Sequence, residues 1–165
     1  MTENKITIVP FSPDAVRKAV SLWNEIVEQG TAFPQTELLG EETGRAFFEG
    51  QSFTGLAYGA DGVLVGLYIL HPNNVGRCGH LCNASYAVGS AFRGQGIGEA
   101  LVRHSIETGK SLGFRILQFN AVVASNRPAL ALYEKLGFTR LGVISNGFLS
   151  KNGEYEDIIP HYIAL

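Results

Sequence analysis

The chain has 165 residues and a formal net charge of −2 with no basic run, so neither a nucleic acid nor an anionic membrane surface is an expected partner. Apolar residues make up 45% and charged residues 17%, with a mean hydropathy of +0.10; this balance excludes a disordered chain and fits one domain over residues 1–165. No apolar run reaches the roughly 18 residues of a membrane span, and the opening residues carry no signal-like apolar core, so a cytoplasmic protein is expected.

Residues 5–9 alternate as a first strand. Ser12-Pro13-Asp14 then supplies an N-cap, a proline in the first turn and an acid at the positive end of a helix dipole. Val16, Ala19, Val20, Trp23, Ile26 and Val27 follow at helical spacing, and Gly30 ends that helix. Residues 36–49 read as a weaker second helix, interrupted by Gly40 and Gly44. Residues 53–58 lead through the turn Gly59-Ala60-Asp61-Gly62 into a strand over 63–70. A Pro/Asn/Gly-rich loop covers 72–79, and 80–88 is the next strand. Cys78 and Cys82 are the only cysteines. On one extended strand they would lie roughly 13 Å apart, out of disulfide reach, so reduced thiols are expected. His80 and Cys82 would share a strand face, but no third or fourth ligand declares itself, and no metal is expected.

Residues 93–98, Arg-Gly-Gln-Gly-Ile-Gly, stand between that strand and an amphipathic helix over 97–112. Glycines at alternate positions permit a tight turn and a close approach of backbone N–H groups to an anion. The helix behind them adds unpaired donors and a positive dipole end. This is a cradle for phosphate or pyrophosphate. The spacing is not GxxxxGK[ST], which excludes a Walker loop, and a GxGxG run in mid-chain after several strands is not the Rossmann arrangement. Residues 114–123 form a further strand, and 128–136 a short helix stopped by Gly137. Residues 139–144 and 155–162 form a closing pair of strands with Asn152-Gly153 available for their turn, and Pro160 marks the last strand as an edge or an end. The order β-α-α-β-β-β-α-β-α-β-β predicts an α/β fold, a sheet of mixed direction with helices on both faces.

The pattern Arg93-x-x-Gly96-x-Gly98 resembles the pyrophosphate-binding motif of the GCN5-related N-acetyltransferase (GNAT) family. Ser125-Asn126-Arg127-Pro128 opening a helix, Tyr133 on it, and Lys135-Leu136-Gly137-Phe138 closing it are similar to the family's second motif. The resemblance implies the GNAT fold, with a mostly antiparallel sheet whose strands splay at the acetyl-CoA site. It also implies acetyl-CoA as cofactor and an acetyl-CoA-dependent N-acetyltransferase activity. In the family's terms Arg93, Gly94, Gln95, Gly96, Ile97 and Gly98 hold the pyrophosphate. The backbone at Ala87 and Val88 pairs with the pantetheine amides, and Asn126 is a polar contact to the cofactor. Tyr133 is the general acid: a phenol with an ordinary value of about 10 can donate to a thiolate whose parent acid lies near about 8.5. The family's strand before the cradle often carries an acid. Here residues 80–88 have none, so the base stays open between His80, a water chain and an amine already partly neutral.

Asn83 and Asn120 put one amide on each of the two strands that splay, and such amides can hold a small carboxylate without adding charge. The run Asn73…Gly76-Arg77…His80-Leu81-Cys82-Asn83, with Phe119-Asn120…Asn126 and Leu136-Gly137-Phe138, is similar to fungal acetyltransferases of proline analogues such as azetidine-2-carboxylate. The chain departs from them in its shorter N-terminal part and in having Tyr133. Glu28-Gln29-Gly30-Thr31-Ala32-Phe33 resembles phosphinothricin-type acetyltransferases, and in the family this loop covers the acceptor, which makes Phe33 either a lid residue or core. The expected partner is a small-molecule amine, an amino acid or its analogue. The alternatives are a protein or peptide N-acetyltransferase and a non-catalytic CoA-binding module. Family members are often dimers, though no residue pattern here shows one.

Overall fold

The computed structural model describes residues 5–165. Its strands are β1 (Thr7–Pro10), β2 (Phe53–Tyr58), β3 (Leu64–Pro72), β4 (Leu81–Val88), β5 (Ile116–Phe119), β6 (Thr139–Arg140), β7 (Ile144–Leu149), β8 (Tyr155–Ile158) and β9 (His161–Ala164). Seven of them form one sheet in the order β1-β2-β3-β4-β5-β9-β6, and β7 and β8 form a separate hairpin. Within the sheet every pairing is antiparallel except that of β4 with β5.

Helices α1 (Val16–Gln29) and α2 (Glu41–Glu49) pack on one face; α3 (Ile97–Ser111) and α4 (Arg127–Lys135) pack on the other. The middle of β3 shows why. Every residue from 65 to 70 is buried, because Leu67 and Ile69 pack with Trp23, Ile26 and Phe48 while Tyr68 and Leu70 pack with Leu101, Val102 and Leu117. A strand covered on both faces reads as an unbroken apolar run. Gly44 belongs to the same logic: a Cβ there would overlap Val20 Cγ2, so its absence lets α2 approach α1.

Several elements differ from the sequence reading, each for a local reason. Strand β1 begins at Thr7, where pairing with Tyr58 starts, rather than at Lys5. Residues 36–39 are not helical; α2 starts after Gly40, whose N–H donates to Thr43 Oγ1 at 2.8 Å, and Asn24 holds the preceding segment through both backbone groups of Leu39. Strand β5 stops at Phe119, although apolar residues resume after Asn120 and continue to Val123. Beyond Phe119 the chain leaves the sheet, and Val123 packs with Phe148 and Ile158 of the hairpin. Residues 139–144 and 155–162 do not form one pair. Pro160 separates β8 from β9, so that β8 pairs with β7 while β9 inserts between β5 and β6 and is not an edge.

Candidate active site

The parallel ladder between β4 and β5 holds at only two positions, Leu81↔Ile116 and Cys82↔Leu117. Past that point β4 continues to Val88 while β5 ends at Phe119, so the strands part toward their C-terminal ends. This leaves the β5-facing backbone of β4, through Ala87 and Val88, free of a ladder partner. Ala87 is wholly buried and Val88 half-buried, and both pair with β3 on their other side.

The 93–98 turn follows directly. Gly94 and Gly96 have φ of +76° and +79°, a left-handed conformation that a side chain disfavours. The first bond of α3 is Ala100 N–H to Gly96 O, so the N–H groups of Ile97, Gly98 and Glu99 precede the helical ladder at the positive dipole end. Arg93, Gly94, Gln95 and Gly96 are exposed and Ile97 is buried beneath them. A Cβ on Gly98 would look toward Val88 and Leu132, at 4.0 and 3.9 Å, across the gap between β4 and α4. Arg93 is not free at this turn: its Nη2 donates to Gln29 Oε1 at 2.6 Å. Next to it the Ser90 N–H donates to Glu25 Oε1 at 2.9 Å, and hydrogen bonds from Ser90 hold the Glu25 carboxyl below its usual range.

At the divergence lies a cavity of about 270 Å³ whose lining includes Phe33, Asn83, Asn120, Asn126 and Tyr133. Residues far apart in sequence, read separately as lid, acceptor contacts, cofactor contact and acid, thus share one space. Tyr133 is 9% exposed and is held by Phe119, Phe138 and His161, at ring-centroid distances of 4.5, 5.4 and 5.6 Å. Its hydroxyl makes no hydrogen bond among the described residues, and burial raises its pKa, which keeps the phenol protonated. Asn126 caps α4 through Oδ1, which accepts the Ala129 N–H at 3.3 Å, and it also lines the cavity. Asn83 Nδ2 donates to Gln118 O at 3.0 Å, spanning the parting strands. Asn120 is exposed at the rim. Its Nδ2 donates to Asn73 Oδ1 at 2.7 Å, and its Oδ1 accepts from Asn73 and Gln118.

Phe33 is both core and wall. It packs on Trp23 at 4.4 Å, yet it lines this cavity and a second one of about 590 Å³ between the α1–α2 loop and β7. His80 is exposed ahead of β4 and lies outside the cavity lining. The imidazole that lines it is that of His71, which sequence reasoning passed over. The only signal for it is the register of β3 on β4, which sets His71 opposite Asn83. Cys78 is exposed and Cys82 buried, both as free thiols, and burial pushes the Cys82 thiol up to about 11. Among the described residues no three His, Cys, Asp or Glu side chains gather as metal ligands, and no helix is long and apolar enough to cross a membrane.

A sequence profile of the acetyltransferase (GNAT) family matches residues 20–138. The N-acetyltransferase aca1 of Schizosaccharomyces pombe is 36% identical over 100 residues, covering 61% of this chain and 47% of that protein. The ribosomal protein bS18-alanine N-acetyltransferase of Escherichia coli is 37% identical over 73 residues, 44% of this chain and 49% of that one. The matched part is about half the length of these curated relatives. Among solved structures, a GCN5-related N-acetyltransferase from Kribbella flavida superposes with a TM-score of 0.88 at 30% identity, over 97% of this chain and 98% of its own. A phosphinothricin acetyltransferase from Sinorhizobium meliloti, solved in complex with AcCoA, superposes with a TM-score of 0.89 over 97% of this chain and 88% of its own; at 21% identity this is a likeness of fold.

Proposed function

The chain belongs to the acetyltransferase (GNAT) family, and from that premise we propose that it transfers the acetyl group of acetyl-CoA to the amine of a small amino acid or amino-acid analogue. The observation that carries this reading is the cavity of about 270 Å³ at the β4–β5 divergence, which gathers Tyr133, Asn126, Asn83 and Asn120 in one space with Phe33 as part of its wall. Its volume suits a small molecule rather than a folded surface.

The residues present fit the donor. Left-handed Gly94 and Gly96 and the N–H groups ahead of α3 suit a pyrophosphate. The unpaired side of β4 at Ala87 and Val88 suits an extended amide-bearing arm, and Gly98 leaves its path open. Bound there, acetyl-CoA supplies an activated acyl group and a thiolate leaving group. Tyr133 donates the proton that the departing sulfur needs. Asn126 fixes the start of α4 and with it the reach of that phenol. Asn83 and Asn120 offer amide N–H groups to the acceptor's carboxylate; Asn83 Nδ2 spends one of its two hydrogens on Gln118 O, and Asn120 can exchange its Asn73 contact for a ligand.

A second reading, acetylation of a protein or peptide α-amine, draws on the ribosomal-protein relative. Incubating the chain with acetyl-CoA and a mixed library of amino acids, proline analogues, carboxylate-free amines and short peptides, read by mass spectrometry, separates the two. Acetylated amino acids are the expected products. Product confined to peptides would move the acceptor to the second reading, and acetyl-CoA binding without any product would leave a non-catalytic CoA-binding module.

A further inference from the structure

An amine attacking a thioester must shed a proton, and the cavity has few groups to take it. Its lining holds no aspartate, glutamate, lysine or arginine. The groups there that titrate are the phenols of Tyr86 and Tyr133 and one imidazole, His71. Burial raises both phenols above their ordinary value, so neither takes up a proton near neutrality. Tyr86 is in addition bonded to Ser105 Oγ at 2.7 Å. Imidazole is the side chain that exchanges protons near neutral pH.

Resting on the acetyltransferase reading, we propose that His71 is the general base of this site. It lies near the end of β3, half-buried, directly across from Asn83 on β4. On that strand the sequence offers no acid, and Asn83 cannot accept a proton at neutral pH. The neighbouring strand supplies the missing function. The tautomer follows from geometry. His71 Nδ1 lies 3.0 Å from Pro72 O. A carbonyl can only accept, so Nδ1 carries the hydrogen and Nε2 keeps the lone pair. The elements around His71 bring no competing charge into the cavity: β4 contributes Asn83 and Tyr86, the segment after β5 contributes Asn120, α4 contributes Tyr133, and the α1–α2 loop contributes Phe33, Pro34 and Gln35.

In the step, the amine lone pair forms the C–N bond and the surplus N–H proton passes to His71 Nε2. The C–S bond breaks with its electrons on sulfur, and the thiolate takes the Tyr133 phenol proton. His71 ends protonated and Tyr133 deprotonated, and both recover by exchange with water.

The test compares wild type, His71→Gln and His71→Glu on azetidine-2-carboxylate, proline, phosphinothricin and the best acceptor from the amine library, over pH 6–9. Calorimetry with acetyl-CoA serves as a check of fold and donor site. His71→Gln is expected to keep acetyl-CoA affinity and to lose roughly 10²–10⁴ in kcat/KM near neutrality. Its profile should then follow the free-amine fraction alone. His71→Glu restores a proton acceptor and is expected to recover part of the rate; a purely structural role predicts no recovery. A His71→Gln profile equal to wild type overturns the base assignment and leaves the acetyltransferase reading intact. Failure of wild type to bind acetyl-CoA, or to acetylate any amine tested, overturns both.

Discussion

Asn83 and Gln118 are joined one residue past the last β4–β5 pair: the Asn83 amide donates to the Gln118 carbonyl at 3.0 Å. The bond closes the ladder where the strands part, so Asn83 is at once a structural tie and a wall of the cavity. Removing it leaves a partly buried carbonyl without its partner, a cost of about 1–3 kcal/mol. Asn83→Ala is therefore expected to lower stability by that order in denaturant unfolding. Asn120→Ala, at an exposed rim position, is expected to change it by less than about 0.5 kcal/mol. On the acceptor side both variants should lose roughly tenfold to a hundredfold in kcat/KM for an amino acid. They should lose much less for the matching amine without a carboxylate, because that substrate never made the contact. Equal losses on both acceptors would remove the carboxylate role.

Arg93 and Gln29 connect the donor turn to the end of α1, immediately before the loop that carries Phe33. If Arg93 acts by holding the turn, Gln29→Ala must reproduce its loss. Each single alanine variant is expected to weaken acetyl-CoA binding by about two- to fivefold, the scale of an exposed charged contact. The double variant should be no weaker than either one, because the two residues share a single interaction. Additive losses in calorimetry would mean that Arg93 meets the ligand directly.

Much of this site is legible in the chain itself. The 93–98 turn announces itself through glycine spacing, and Asn126-Arg127-Pro128 with Gly137 brackets α4 within a residue, because caps and stops are local chemistry. What resists reading is set by tertiary pairing. The run 119–123 is apolar apart from Asn120, yet its first residue ends a strand and Val123 belongs to the hairpin core. Phe33 reads as core or lid in the sequence; in the structure one face meets Trp23 and the other lines two cavities, so it is core and wall at once. His71 sits in an apolar strand beside a Pro/Asn/Gly-rich loop and acquires meaning only from its register against Asn83. His80 has the more suggestive sequence neighbours and is turned to solvent.

Gly98→Val tests the donor path. Its Cβ has ordinary room, so the fold should hold, but the added methyl groups point into the gap between Val88 and Leu132. Acetyl-CoA affinity is expected to fall at least tenfold by calorimetry, with an unchanged circular-dichroism spectrum; unchanged affinity in the folded variant would move the arm elsewhere.

Burial raises the pKa of Tyr68, Tyr86 and Tyr133. A phenol ionises in the unfolded chain near about pH 10. Above that point the unfolded state holds fewer protons than the folded one, so stability falls as pH rises; below it these groups contribute no pH dependence. Each fully protected phenol adds a slope of up to about 1.4 kcal/mol per pH unit. Unfolding free energy measured from pH 8 to 11 is expected to begin falling past about 8.5 through the buried Cys82 thiol and to drop more steeply past about 10 as the phenols join. Tyr133→Phe should reduce the drop, and a profile unchanged by that substitution would mean that its hydroxyl titrates freely.

The same substitution separates chemistry from packing at the donor end. The Tyr133 ring is fixed by Phe119, Phe138 and His161, and its hydroxyl bonds to none of them. Phenylalanine keeps those ring contacts, so stability near neutral pH should hold within about 0.5 kcal/mol, and acetyl-CoA affinity should not change. In the proposed reaction what disappears is the proton for the departing sulfur, worth roughly 10²–10⁴ in rate when a positioned acid is removed. Turnover is expected to fall by that order under single-turnover conditions, which keep product release out of the measured rate. An acceptor of lower amine pKa should not restore it, because the deficit lies on the leaving group and not on the nucleophile. Wild-type single-turnover rates in Tyr133→Phe would exclude this phenol as the acid.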